Sequence, residues 1–172
     1  TDISDIERLS GENGITKLTA VAEGGSTRQQ SVKNGVALAQ GADFIAIHDG
    51  ARPLVTPQDI DKVVADAQKH GAAALGVQVK DTIKVVDNNG FILSTPNRSS
   101  LIAIYTPQVF KTDMYMQAMK KAEEDSKDYT DDCQLVEALG KRVLVTVGSA
   151  ENIKLTTPED IAVACLLYTS DA

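Results

Sequence analysis

The chain has 172 residues, room for one domain, and its 42% hydrophobic and 24% charged content is ordinary globular usage that argues against disorder. A net charge of −7, only 4% aromatic residues and no Trp exclude a nucleic-acid polymer as the main partner. The acidic balance leaves room for a local basic pocket that takes a small phosphorylated ligand.

The opening TDISDIERLSGENG is polar and acidic, unlike a secretory signal. Lys17 to Ala22 is short, apolar and followed by Gly24-Gly25, which predicts a strand ending in a turn. Ser26 or Thr27 then caps a helix with Val32, Val36 and Ala39 on one face. Asp43 to His48 predicts a compact strand, left through the loop His48 to Pro53. Thr56-Pro57-Gln58-Asp59 starts the next helix, with Ile60, Val63, Val64 and Ala67 at core-facing spacing. Ala73 to Val79 is another strand, so the first half alternates strand and helix and points to a parallel sheet.

The alternation stops at Asp81 to Thr95, which reads as a hairpin turning on Asn88-Asn89-Gly90. An isolated ribbon is marginal in water, so this arm is expected to pack on a second copy of the chain. Helices follow over about Thr112 to Glu124 and Thr130 to Leu139, the second closed by Gly140. Arg142 to Val147 predicts a strand and Asn152 to Leu155 a short one. Thr157-Pro158-Glu159-Asp160 opens the closing helix. No apolar run reaches the ~18–20 residues of a membrane span, and Cys133 and Cys165 lack metal or disulfide spacing, which suits a reducing cytoplasm.

Ligands of open α/β sheets bind beyond the carboxyl ends of the strands. Three segments fall there: Gly24 to Arg28, His48 to Arg52 and Lys80 to Thr82. Their glycines, helix start, single acid and several cations suit a nucleoside phosphate. Each piece also has a plainer explanation. Gly24-Gly25 can be an ordinary turn, Asp49 an Asx turn residue, Arg52 a surface cation and Thr82 a strand residue. His48 has no second His nearby and reads as a hydrogen-bonding residue rather than a metal ligand; His70 reads as a helix-end partner. No Ser-His-acid or Cys-His arrangement is placed for a covalent nucleophile.

Six segments in order then carry a family resemblance: His48-Asp49-Gly50-Ala51-Arg52-Pro53, Lys80-Asp81-Thr82-Ile83-Lys84, Asn97-Arg98-Ser99-Ser100-Leu101, Thr106-Pro107-Gln108, Tyr129-Thr130-Asp131-Asp132 and Glu151-Asn152-Ile153-Lys154-Leu155-Thr156. Over about Ala20 to Leu166 the chain resembles the 2-C-methyl-D-erythritol 4-phosphate cytidylyltransferases of non-mevalonate isoprenoid biosynthesis. The resemblance implies a Rossmann-like α/β nucleotidyltransferase sheet with helices on both faces, and a β-hairpin arm, residues 81–95, that clasps a partner subunit in a cytoplasmic homodimer. It implies attack of the substrate phosphate on the α-phosphorus of CTP, with Mg²⁺ as cofactor. By matching position, Gly25, Ser31, Asp49 and Arg52 would meet the nucleotide, Asp49 lying near the metal. Thr82, Arg98, Thr130, Asp131 and Lys154 would bind methylerythritol phosphate, with Arg98 and Lys154 as catalytic cations.

The family's leading strand, Gly-rich loop with its Arg, and Pro-Lys segment are not found in this sequence, so residues 1–172 read as a single domain lacking them, with activity expected to be impaired. Asn97 stands where the family commonly has Asp, and the stretch from Tyr168 onward departs from the pattern. Two other readings remain at this point. One is a ribitol-5-phosphate cytidylyltransferase; the other is a stretch that binds polyol phosphate or dimerises without turnover.

Overall fold

The computed structural model describes residues 3–39 and 41–170. In chain order its elements are α1 (Ile3–Glu12), α2 (Arg28–Leu38), β1 (Phe44–Ile47), α3 (Pro57–His70), β2 (Ala72–Gln78), β3 (Val85–Val86), β4 (Ile92–Ser94), β5 (Ile102–Lys111), α4 (Thr112–Glu124), α5 (Asp132–Ala138), β6 (Leu144–Val147) and α6 (Pro158–Ser170), with one 3₁₀ turn at Arg98–Ser100. They form two compact units, Thr1–Ile45 with Lys111–Arg142, and Ala46–Phe110 with Val143–Ala172. The end of the chain beyond Ser170 lies outside the described residues. None of the described helices is long and apolar enough to cross a membrane.

The second unit is built on a mixed sheet in the order β1-β5-β2-β6. β2 runs parallel to β6, as the strand–helix alternation implies, but antiparallel to β5, so the sheet is mixed rather than parallel throughout. The physical reason lies in the connection. β2 reaches β5 through the hairpin arm, with no crossover helix to bring the chain back in the same direction. β5 itself is not among the expected strands, because Pro107 argues against a central strand. The ladder accommodates it by slipping: Ala74 faces Gln108 and Gly76 faces Ile104, leaving residues 105–107 opposite Leu75 alone. A bulge there needs no amide hydrogen from proline. At Gly76 a Cβ would lie 2.5 Å from the Ile102 side-chain atom Cγ2 and 3.2 Å from Ala103 O.

α3 packs on β2 and β6. Thr56 caps it by accepting from the Asp59 amide, and Gly71 closes it in a left-handed conformation. Its buried stripe is Asp59, Val63 and Ala67, whereas Ile60 is exposed. The expected face is therefore rotated. Asp59 goes inward because its carboxylate accepts the Ser149 amide at 2.9 Å, and Asp66 likewise accepts the Thr146 hydroxyl at 2.7 Å. α3 thus holds both β6 and the loop that follows it. Asn152 to Leu155, expected as a strand, is irregular; it offers one ladder-like bond, Leu155 N–H to Ala51 O at 2.7 Å.

The hairpin forms as read, with β3 and β4 paired antiparallel and Gly90 at φ 86°. Asp87 tightens the turn by accepting the amides of Asn89 and Phe91. Phe91, Ile92 and Leu93 are all exposed. At the start of α6, Asp160 accepts the amides of Thr156 and Thr157, which holds its carboxyl below the usual carboxylate range.

In the first unit α4 packs on α5 over Tyr115, Ala118, Met119, Ala122, Leu135 and Val136. The α4 bounds are those expected, and α5 ends at Ala138, with Gly140 turning the chain just beyond it at φ 74°. Two expectations change. Lys17 to Ala22 is not a strand, since among the described residues none pairs with it in a ladder. Ile3–Glu12, read as merely polar and acidic, is a helix, supported by Arg8 pairing with Asp5 and Glu12. In α2, Val32 and Val36 are half-buried, and Ala39 falls outside the helix as its exposed C-cap.

Candidate functional site

β1 ends at Ile47, and the loop after it carries Asp49 and Arg52. Asp49 Oδ2 lies 3.1 Å from Lys154 Nζ and 3.6 Å from Arg52 Nε. Three of the sequence-expected residues, more than 100 positions apart at the extremes, therefore meet on one carboxylate oxygen. Arg52 is 8% exposed. Its Nη1 donates to Asn152 O at 2.7 Å, and its guanidinium carbon sits 4.2 Å above the Tyr105 ring. That stacking and burial correct the plainer reading of Arg52 as a surface cation. His48 bridges Thr106 Oγ1 and Arg52 O at 2.9 and 3.0 Å, which is the hydrogen-bonding role read from the sequence.

A cleft of about 500 Å³ opens beyond the carboxyl ends of β2 and β6, lined in part by Val77, Lys80, Asp81, Tyr105 and Val147. Its size suits a small ligand. Two wall residues tie it to the candidate cations. Tyr105 carries Arg52, and Lys80 O accepts from Arg98 Nη1 at 2.6 Å. Arg98 is exposed and lies in the 3₁₀ turn, where Gln78 Nε2 donates to its carbonyl at 2.6 Å. The structure therefore gives Arg98 and Lys154 different partners. Thr82 is exposed in the irregular stretch leading to β3. Arg52 Nε and Asn152 Oδ1 are buried without a hydrogen-bond partner among the described residues, a pattern that calls for a ligand or water.

The first unit carries the other four candidates. Gly25 N–H donates to Ser31 Oγ at 2.9 Å, and that hydroxyl donates to Thr27 O at 2.9 Å. Gly25 has to be glycine here, because a Cβ would run into Gln30. Asp131 caps α5 by accepting the Gln134 amide at 2.9 Å, and Thr130 is exposed beside it. The two segments are laced together. Arg28 pairs with Asp132 at 2.7 Å, Tyr129 N–H donates to Gln29 Oε1 at 3.0 Å, and Tyr115 O–H donates to Asp132 at 2.6 Å. Burial first, then the Asp132 charge, keeps the Tyr115 phenol protonated far above its ordinary range. Burial also pushes the Cys133 thiol up, so it is no nucleophile.

Sequence reasoning gave no role to Tyr105, Thr106 or Asn152, and read Asp59 only as an acid at the start of its helix. Thr106 and Asn152 lie inside quoted motifs, which was the available signal; Tyr105 and Asp59 had none, since their partners are distant in the chain.

A family model described as IspD, 2-C-methyl-D-erythritol 4-phosphate cytidylyltransferase, matches residues 1–170, a longer span than residues 20–166 and one that takes in Tyr168. A 2-C-methyl-D-erythritol 4-phosphate cytidylyltransferase of Desulforamulus reducens is 48% identical over 153 residues, 88% of this chain and 65% of the relative. The chain thus spans just under two thirds of that relative's length. A crystal structure titled 4-diphosphocytidyl-2C-methyl-D-erythritolsynthase, from Anaerococcus prevotii, superposes with a TM-score of 0.87 at 29% identity, covering 96% of this chain and 75% of that one. A 2-C-methyl-D-erythritol 4-phosphate cytidylyltransferase from Thermus thermophilus gives 0.79 at 34% identity, covering 88% and 74%.

Proposed function

Because this chain belongs to the 2-C-methyl-D-erythritol 4-phosphate cytidylyltransferase family, we propose that it serves the transfer of a cytidylyl group from CTP to 2-C-methyl-D-erythritol 4-phosphate. The phosphate oxygen of the polyol attacks the α-phosphorus. The bond from that phosphorus to the oxygen bridging the β-phosphate breaks, and its electron pair leaves with pyrophosphate. Little covalent help is needed from protein groups; positioning and charge neutralisation dominate. The observation that carries this reading is the convergence of Lys154 and Arg52 on Asp49, with Arg52 stacked on a wall of the cleft.

In this reading Lys154 neutralises charge that builds up as the phosphate approaches the triphosphate, and Asp49 holds the ammonium in place beforehand. Gly25 and Ser31 form a rigid turn against which the nucleotide rests. Thr130 and Asp131 meet the polyol hydroxyls. For Mg²⁺, Asp49 would be the protein carboxylate, its Oδ2 shared with Lys154 and Arg52, and the remaining ligands would come from substrate phosphates and water. One carboxylate beside substrate phosphates is the usual protein contribution to that ion, which when bound would neutralise the triphosphate. Cys133 and Cys165, both present as thiols, agree with a cytoplasmic setting.

The arm extends the proposal to a homodimer of single nucleotidyltransferase domains. Its exposed Phe91, Ile92 and Leu93 need a cover, and a second copy would bring Thr82 and Arg98 to the site that Lys154 occupies. Deleting residues 81–95 is expected to convert dimer to monomer in sedimentation velocity; a dimer that persists contradicts the clasp.

The family match and the relatives named above favour methylerythritol phosphate over ribitol phosphate. The test is pyrophosphate release from CTP and Mg²⁺ by a chain shown to be folded by circular dichroism, with each polyol phosphate in turn. Release with methylerythritol phosphate alone is expected. Release with ribitol 5-phosphate instead would overturn the assignment, and silence with both from a folded chain would support the reading of a stretch that binds polyol phosphate or dimerises without turnover.

A further inference from the structure

Thr106 is 4% exposed and stands at the crossing of two loops that carry candidate residues. Its Oγ1 accepts the Asp49 amide at 3.0 Å and lies 2.9 Å from His48 Nδ1. Its carbonyl accepts Asn152 Nδ2 at 2.8 Å. Proton counting orders this network. His48 Nε2 lies 3.0 Å from Arg52 O, and a carbonyl only accepts, so Nε2 carries the proton. In the imidazole tautomer with that single N–H, Nδ1 is the ring atom left to accept. The Thr106 hydroxyl therefore gives its one proton to His48 and a lone pair to the Asp49 amide.

The same residue reaches Lys154 from the other side. Asn152, 1% exposed, is held through its side chain by Thr106 and through its carbonyl by Arg52 at 2.7 Å. On the far side of Lys154, Leu155 N–H is fixed to Ala51 O at 2.7 Å. The backbone of Lys154 is thus pinned on both sides, and the backbone of Asp49 is pinned by the hydroxyl. We infer that Thr106 is the positioning residue of the Asp49–Lys154 pair, acting through its hydroxyl on the Asp49 amide and on His48 Nδ1, and through its carbonyl on Asn152. A residue chosen only for strand propensity or for filling the core would not need its hydroxyl, and Val would serve as well.

The kinetic half of the test rests on the proposed cytidylyl transfer; the spectroscopic half does not. Wild type, Thr106→Val and Thr106→Ser are compared in the intact protein. Imidazole ¹⁵N spectra at pH 8 are simple, since the chain has two histidines. His48 is expected as the Nε2–H tautomer in all three proteins, because Arg52 O fixes that proton, while the Nδ1 resonance keeps its position in Thr106→Ser and moves in Thr106→Val, where its hydrogen bond is lost. An Nδ1–H tautomer in wild type overturns the inference. In pyrophosphate release, Thr106→Val is expected to lower kcat by about 10²-fold, the scale of a small misplacement of reacting groups. KM for CTP stays within about 3-fold and Thr106→Ser recovers most of the rate, because Ser keeps the hydroxyl. Wild-type kcat in Thr106→Val overturns it.

Should Thr106→Val fail to fold, His48→Gln at the exposed position 48 replaces it. Gln keeps the donor toward Arg52 O and removes the acceptor toward Thr106, so the same kcat loss is expected, and wild-type kcat would again refute the inference. Inactive wild type with the Nε2–H tautomer would remove the proposed reaction and leave the hydroxyl network standing. Active wild type with an indifferent Thr106 would do the reverse.

Discussion

Lys154→Ala in the intact protein is expected to lower kcat for pyrophosphate release by about 10²–10³-fold, the scale for losing one preorganised charge donor at a reacting centre. The ammonium is half exposed, so its removal leaves no buried hole, and the melting temperature should move little. What is lost is a cation already held 3.1 Å from Asp49 before substrate arrives. Lys154→Arg should recover only part of the rate, because a planar fork does not replace a compact point charge. Asp49→Asn should also slow turnover, and the double variant should lose less than the product of the two single losses, since both residues act on one geometry. Lys154→Ala turning over CTP at the wild-type rate would remove Lys154 from the site.

Asp132→Ala should be the most destabilising single change in the first unit, by about 3 kcal/mol or more, the scale for breaking a buried charge pair. The Asp132 side chain is 1% exposed and serves two partners, Arg28 and the Tyr115 hydroxyl. Removing it takes away the acceptor at 2.6 Å from a phenol that burial already holds protonated, and the carboxylate at 2.7 Å from the guanidinium. Arg28 is partly exposed and can be rehydrated, so the larger share of the loss belongs to Tyr115. Asp132→Asn keeps an acceptor for that hydroxyl and should cost clearly less. Urea unfolding of the two variants side by side measures the difference. Equal midpoints for Asp132→Ala and wild type would show that the pair does not hold α2 against α5. The functional consequence follows, because this pair ties the Gly25–Ser31 turn to the Thr130–Asp131 loop.

Local chemistry made several elements legible. Thr56-Pro57, Gly71, Asn88-Asn89-Gly90 and Gly140 each impose a cap or a turn within a few residues, and the helices and hairpin they delimit are present. Segments whose state depends on distant neighbours were not legible. Lys17 to Ala22 has a strand's composition but no ladder partner among the described residues, and β5 has a partner despite its proline. The inward turn of Asp59 depends on Ser149, ninety positions away.

The site divides in the same way. Residue identity alone pointed to an α/β chain of this cytidylyltransferase family, because six ordered segments carry the family pattern and capping signals are short-range. That Lys154 and Arg52 share one oxygen of Asp49, that Arg52 stacks on Tyr105, and that Thr106 lies beneath them was decided only by the tertiary structure. A sequence records which charges exist. Which of them share an oxygen is set by strand order and by a bulge, and these depend on contacts that span more than half the chain.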